Sequence, residues 1–186
     1  VKSITCDCAR PTVTVKCNEN TGKPVLSWKA VDGASKYYIY RSTDGGKTYK
    51  YWDSTSKTSY TNSGAEAGKT YYYKVKAVCG KSSYGNSAQS LAKSIVCDCA
   101  KPVLSITAVN GKPKLSWNAV DGATKYWVYR STDGKNFKYY DTTTKLSYTN
   151  MSTTAGTTYY YKLKAVNGST NYDASALSNA VSLKVK

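Results

Sequence analysis

The chain has no histidine, one phenylalanine, one methionine and four prolines, and only 11 of its 186 residues are acidic. The missing histidine removes Ser-His-Asp and Cys-His nucleophilic catalysis and any histidine-ligated metal site. No apolar run approaches the roughly 20 residues that cross a bilayer as a helix, so membrane insertion is not expected. Val1 does not open a signal peptide, and any export signal is expected outside this segment. What is present is equally lopsided. The 27 Lys and Arg give a formal charge of +16, while 19 Tyr and four Trp supply nearly all the aromatic content. A 40% hydrophobic fraction rich in Tyr and Val can offset chain entropy, so an ordered protein is expected. The balance does not suggest an enzyme.

Internal repetition dominates the sequence. SITCDCARP (residues 3–11) recurs as SIVCDCAKP (94–102), a shift of 91. GKPVLSWKAVDGASKYYIYRSTDG (22–45) recurs as GKPKLSWNAVDGATKYWVYRSTDG (111–134), a shift of 89. AGKTYYYKVKAV (67–78) recurs as AGTTYYYKLKAV (155–166), a shift of 88. The drift marks short deletions near Asn20 and in the Gly45-Gly46 turn, where loops tolerate them. A period near 90 is too long for a solenoid repeat and suits a whole domain. Two homologous domains are expected, residues 1–97 and 98–186. A Cys-x-Cys leads into the first at 6–8 and marks the junction at 97–99.

Within each copy apolar residues recur with period two. Val25 to Trp28, Tyr37 to Arg41, Tyr49 to Trp52, Ser59 to Asn62 and Tyr71 to Val78 read as strands. Asp-Gly, Asn-Gly and Gly-Lys-Pro punctuate them. Short strands every 8 to 12 residues with no helical stretch imply an all-β antiparallel sandwich.

The series P-x-V, L-S-W, G-A-x-x-Y-x-x-Y-R and A-G-x-T-Y-x-Y-K-x-K-A-V resembles fibronectin type III modules, most of all those of Gram-positive bacterial surface and secreted proteins. The resemblance spans nearly the whole chain, twice. It implies two tandem immunoglobulin-like sandwiches, each with strands A, B and E against C, C′, F and G. It makes Trp28 and Trp117 core tryptophans of strand B, and Tyr37 and Tyr126 buried tyrosines of strand C. Tyr71 and Tyr159 become the tyrosine-corner residues that open strand F. An extracellular setting, on a bacterial surface or secreted, follows from the same resemblance.

Alternation then sorts the aromatics. With Tyr71, Tyr73, Val75 and Ala77 facing inward, Tyr72, Lys74 and Lys76 face outward. With Tyr37, Ile39 and Arg41 inward, Tyr38 and Tyr40 face outward, and the Arg41 head reaches solvent at the strand end. The second copy sends Trp127, Tyr129, Tyr160, Lys162 and Lys164 outward. Tyr49, Tyr51 and Trp52, with their counterparts Phe137, Tyr139 and Tyr140, have no assignable face. The candidate ligand-binding residues are Tyr38, Tyr40, Tyr72, Lys74, Trp127, Tyr129, Tyr160 and Lys162. Two readings stand side by side. Cross-strand pairs would stabilise a solvated sheet by roughly 0.2–1 kcal/mol each, or the face would anchor a host protein or an anionic glycan.

Positive charge divides almost evenly, 15 basic and 6 acidic residues in 1–97 against 12 and 5 in 98–186. Scattered lysines lack the clustering of a nucleic-acid groove, so no specific nucleic-acid partner is expected. Neighbouring domains of the same polypeptide remain alternative partners.

Six cysteines in an extracellular β-protein suggest disulfides. Cys6 and Cys8 match Cys97 and Cys99, whereas Cys17 and Cys79 align with Ala108 and Asn167. The implied topology sets Cys79 near the Cys6/Cys8 segment and Cys17 near Cys97/Cys99. The preferred pairs are Cys8–Cys79 and Cys17–Cys97, against a Cys6–Cys8 bridge, reduced thiols or a thiolate metal site. Cys-x-Cys lacks structural-zinc spacing, and no metal or cofactor is expected.

Ser42-Thr43-Asp44-Gly45-Gly46-Lys47-Thr48-Tyr49 also resembles the Asp-box hairpin of sialidase propellers, a folding element away from the catalytic centre. A turn with Asp capping amides and Gly at positive φ accounts for it fully. Other acids fall in turns and strand ends, several as repeat equivalents (Asp32/Asp121, Asp44/Asp133, Asp53/Asp141), and form no paired-acid set. No catalytic residues are assigned. The expected role is a structural spacer, or alternatively a binding module using the sheet face or the loops Asp32–Lys36, Gly80–Asn86, Asp121–Lys125 and Gly168–Asp173.

Overall fold

The computed structural model describes residues 8–80, 85–96, 98–168 and 174–186. Cys6 and Cys97 lie outside them, as do the centres of the two loops Gly80–Asn86 and Gly168–Asp173. By contacts the chain divides into two compact units, residues 1–18 with 23–97, and residues 19–22 with 98–186.

The first unit contains β1 (Val13–Asn18), β2 (Lys23–Trp28), β3 (Ala34–Ser42), β4 (Lys50–Thr55), β5 (Ser59–Thr61), β6 (Thr70–Cys79) and β7 (Lys93–Val96). The second contains β8 (Leu104–Val109), β9 (Lys112–Trp117), β10 (Lys125–Ser131), β11 (Lys138–Thr143), β12 (Ser147–Thr149), β13 (Thr158–Val166) and β14 (Val181–Lys184). In the first unit a three-stranded sheet, order β1-β2-β5, faces a four-stranded one, order β4-β3-β6-β7; the second repeats this as β12-β9-β8 and β11-β10-β13-β14. All pairings are antiparallel and no α-helix occurs among the described residues, as the all-β reading requires.

Period two places the core. Along β6, Tyr71, Tyr73, Val75 and Ala77 are buried while Tyr72, Lys74 and Lys76 are half-exposed; β13 repeats this with Tyr159, Tyr161, Leu163 and Ala165 inside. They meet Leu26 and Trp28 from the facing sheet, or Leu115 and Trp117. Each buried aliphatic side chain contributes about 1.5–3 kcal/mol. Trp28 packs edge-to-face on Tyr37 at 5.1 Å, and Trp117 on Tyr126 at 5.3 Å. The Tyr37 hydroxyl accepts the Val31 amide at 2.9 Å, and that of Tyr126 accepts Val120 at 3.0 Å, which anchors the loop after each tryptophan strand. Tyr71 and Tyr159 hydroxyls accept the amides of Glu66 and Thr154 at 3.0 and 3.2 Å, forming tyrosine corners.

Two features escape the alternation. The outer edge of β6 pairs with β7 only from Thr70 to Tyr73. Beyond that, serines replace a strand: Ser90 donates its amide to Val75 O (2.8 Å) while its hydroxyl accepts Val75 N (3.0 Å). Ser87 treats Ala77 in the same way, and Ser178 and Ser175 repeat the device on Leu163 and Ala165. The second feature is a bulge. Ile39 pairs with Asp53 but Tyr40 with Tyr51, so Trp52 is an extra residue on β4; Tyr140 is its counterpart on β11.

Candidate functional site

The bulge determines which aromatics share a surface. Residues opposite each other across antiparallel strands point the same way. Tyr40 lies opposite both Tyr51 and Lys74, and Tyr38 opposite Ser54 and Lys76, so these form one outward face. Trp52 is turned the other way, onto Arg41, whose guanidinium sits 3.2 Å from its ring centre and 5.3 Å from that of Tyr71. Arg41 is thus sandwiched at the rim of the core. Arg130 does the same between Tyr140 (3.9 Å) and Tyr159 (5.2 Å).

On the outward face Tyr51 stands edge-on to Tyr38 (5.5 Å) and to Tyr40 (6.2 Å). In the second unit Tyr139 stands edge-on to Trp127 (6.3 Å) and Tyr129 (6.1 Å). Both central tyrosines are 56% exposed. Lys74 Nζ lies 4.1 Å over the Tyr49 ring, and Lys162 Nζ 4.5 Å over Phe137. Lys36 approaches Tyr38 at 5.2 Å and Lys125 approaches Trp127 at 6.0 Å. Tyr72 and Tyr160 close the face against the hairpin turn: a Cβ on Gly46 would come within 3.2 Å of the Tyr72 ring, and one on Gly134 within 3.1 Å of Tyr160. Both glycines have positive φ (81° and 70°), so the turn needs glycine twice over.

The structure therefore brings Tyr38, Tyr40, Tyr72 and Lys74 to one face, and Trp127, Tyr129, Tyr160 and Lys162 to its equivalent. Sequence reasoning left out the central ring, Tyr51 or Tyr139, and the lysine platforms, Tyr49 and Phe137. The extra residue of the bulge reverses the alternation on β4 and β11, and no residue type announces it. Burial, then Tyr72 and Asp44, push the Tyr49 phenol up, while burial and then Tyr139 push that of Tyr129 up, so these two stay neutral at ordinary pH. The positive charge of the face comes from its lysines.

The carboxylates are occupied elsewhere. Asp44 accepts the Ser42 hydroxyl (2.6 Å) and the Lys47 and Thr48 amides (3.1 Å each), and also contacts the Thr48 hydroxyl. Asp133 accepts Ser131 (2.6 Å), the Lys135 and Asn136 amides (2.9 and 2.8 Å) and Asn136 Nδ2 (2.7 Å). These bonds, the serine's foremost, hold both acids far below the usual carboxylate range. Asp133 borders a cleft of about 650 Å³ with Arg130, Asn136, Tyr139 and Tyr140, but a carboxylate so stabilised as an anion is a poor proton donor. Asp141 accepts the Tyr148 hydroxyl at 2.8 Å on the inner side of β11. No cluster of three or more potential metal ligands occurs among the described residues.

Cys8 and Cys79 form a disulfide, with Cα atoms 6.5 Å apart. It lies under the loop after β2, both sulfurs within 4.0 Å of where a Gly33 side chain would begin. Cys17 Sγ lies 3.3 Å from the carbonyl of Val96, the residue preceding Cys97, which is outside the described residues.

No protein-family model matches the chain. A stretch of 85 residues is 41% identical to part of an amylopullulanase of Thermoanaerobacter thermohydrosulfuricus, covering 44% of this chain and 6% of that enzyme. A stretch of the same length is 41% identical to part of a poly(3-hydroxybutyrate) depolymerase of Ralstonia pickettii, 46% of this chain and 16% of that enzyme. The chain thus spans a small fraction of either relative. Among solved structures, a two-domain fibronectin type III segment of chicken tenascin superposes with TM-score 0.55 at 18% identity, covering 96% of this chain and all of that one. The fold is that of two fibronectin type III domains in tandem.

Proposed function

We propose that the chain is a non-catalytic accessory segment of an extracellular bacterial protein, serving as a structural spacer beside other domains. One observation carries this reading: the matched stretches are 6% and 16% of two enzymes whose names denote unrelated substrates. A module shared by an amylopullulanase and a polyester depolymerase cannot supply the chemistry peculiar to either, because the reacting bonds differ. The saturated hydrogen bonding of Asp44 and Asp133 and the absence of histidine agree with it. The Cys8–Cys79 disulfide supports an oxidising, extracellular setting. The test incubates the purified 186-residue chain with pullulan and with poly(3-hydroxybutyrate) particles. No soluble product is expected above buffer controls, and release from either polymer that survives repurification would overturn the proposal.

A second reading is favoured by the repeated outward face. A spacer needs the inward tyrosines only, yet both units present the same edge-on aromatic set with ring-seated lysines. On this reading the segment also binds a glycan or a host protein. Tyr38→Ser with Tyr72→Ser tests it: undiminished binding to mucin or host cells removes it.

A further inference from the structure

We infer that the outward sheet faces bind an acidic polysaccharide, a polymer whose sugar rings carry carboxylates or sulfates. The inference rests on the binding reading above and assigns its ligand class. Across the first sheet the order Tyr51, Tyr40, Lys74 recurs across the second as Tyr139, Tyr129, Lys162. An aromatic column thus borders a lysine column in both units. The lysines are held: Lys74 sits on Tyr49 and Lys162 on Phe137. The change from Tyr to Phe drops the hydroxyl and keeps the ring that seats the ammonium. Seating each ammonium on a ring lowers the entropy lost when it meets an anion.

Among the described residues no ion pair is formed by those ammoniums, and the carboxylates near them are already engaged. Asp53 and Asp141 lie opposite Ile39 and Val128, on the inner side. Asp44 and Asp133, though exposed, are bonded to their own hairpin hydroxyls and amides rather than to a lysine. Charge complementarity therefore selects an anion, and the overall charge of +16 draws one in from a distance. The aromatics select for rings. A sugar's C–H face packs against the electron-rich face of an aromatic ring, and the phenols exchange hydrogen bonds with its hydroxyls. Lys74 and Lys76, two positions apart on β6, are spaced by about 7 Å along the strand, which suits a charge repeated along a polymer. The edge-on seating of Tyr51 and Tyr139 breaks up the flat platform on which successive nucleobases stack, and so favours sugar over nucleic acid.

The experiment titrates the intact chain with polygalacturonate, pullulan and single-stranded poly-dT at 20 and 200 mM salt. The variants are Tyr51→Ser with Tyr139→Ser, and Lys74→Gln with Lys162→Gln, all at positions outside the buried core. Expected is polygalacturonate binding that weakens at high salt and falls about tenfold in each double variant, with little binding of the other two polymers. The lysine variant should also lose part of the salt dependence. Pullulan bound as tightly, with the lysine variant unchanged, overturns the acidic ligand but leaves a carbohydrate-binding face. Tighter binding of poly-dT overturns it in favour of nucleic acid. Undiminished polygalacturonate binding by the tyrosine variant removes the sheet face as its site. No binding of any of the three polymers overturns the inference outright; mucin binding lost with Tyr38→Ser and Tyr72→Ser would still leave the broader binding reading standing.

Discussion

The two units provide an internal control for one buried hydrogen bond. Asn62 and Asn150 are each almost wholly buried, and each donates Nδ2 to a core tyrosine hydroxyl, Tyr73 or Tyr161, at 2.7 Å. Asn150 Oδ1 accepts the Tyr140 hydroxyl and the Ser152 amide, both at 3.1 Å. Asn62 Oδ1 meets neither donor: Trp52 stands where Tyr140 does in the other unit, and the amide bond that Ser152 makes there has no counterpart. An unsatisfied buried acceptor costs about 1–3 kcal/mol. Replacing Trp52 with Tyr should supply the missing hydroxyl. Against this stand some lost packing, under about 1 kcal/mol for a ring already 40% exposed, and the loss of the indole's hydrogen bond to the Tyr60 hydroxyl, about 0.5–1 kcal/mol at this partly exposed site. The arginine stack survives, since Arg130 rests on Tyr140 in the same manner. The expected net is at most about 1 kcal/mol of stabilisation for the first unit. Tyr140→Phe should cost the second about 1 kcal/mol, because Asn150 keeps Ser152. Amide exchange of Val75 and Leu163 separates the units, as each N–H is buried on a serine hydroxyl in its own core. Trp52→Tyr should slow Val75 by up to about fivefold and leave Leu163 alone, while Tyr140→Phe should speed Leu163 about fivefold. Unchanged or faster Val75 exchange in Trp52→Tyr would refute the reasoning.

Further predictions concern the staples, corners and turns. Replacing Cys8 and Cys79 with Ala, which removes a bridge across a separation of 71 residues and no other, should destabilise the first unit by about 4 kcal/mol and leave the second unit's unfolding midpoint in place; a loss under about 1 kcal/mol contradicts the loop-entropy account. Peptide mapping without reduction should recover Cys17 joined to Cys97, and a Cys17 peptide carrying alkylated thiol would exclude that pair. Tyr71→Phe and Tyr159→Phe each strand a loop amide and should cost about 1–2 kcal/mol in urea titrations, with equal stability to wild type as the contrary result. Asp44 and Asp133 have folded pKa values below the unfolded value of about 3.9. Their stabilisation is therefore full above that pH and is lost as pH falls toward the folded pKa. Asp44→Asn with Asp133→Asn should flatten the loss of stability below about pH 4, and parallel acid limbs for variant and wild type would count against it.

Much of this architecture was readable without coordinates, for an identifiable reason. A two-residue side-chain period is a local property of extended backbone, so β3, β6, β10 and β13 declare their inner and outer residues directly. Repetition doubled the signal, since Tyr71 and Tyr159, or Trp28 and Trp117, occupy matching positions. The expected strand at Tyr49–Trp52 is instead β4, Lys50–Thr55, and β5 ends at Thr61 rather than Asn62. The first shift arises because Tyr49 belongs to the hairpin held by Asp44; the second because Asn62 turns its side chain inward to Tyr73.

By itself the sequence determined the class of fold, the duplication, the sheet alternation and the excess of outward tyrosine and lysine, all set by local periodicity and composition. Only the tertiary structure decided which of those aromatics share a surface. A single extra residue at Trp52 or Tyr140 reverses the side on which an edge strand presents its side chains, and that reversal depends on register with β3 or β10 across the sheet. The same holds for the serines that stand in for a strand along β6 and β13, and for the unfilled acceptor on Asn62. Each depends on a partner distant in sequence or on cross-strand register, and no period in the sequence records either.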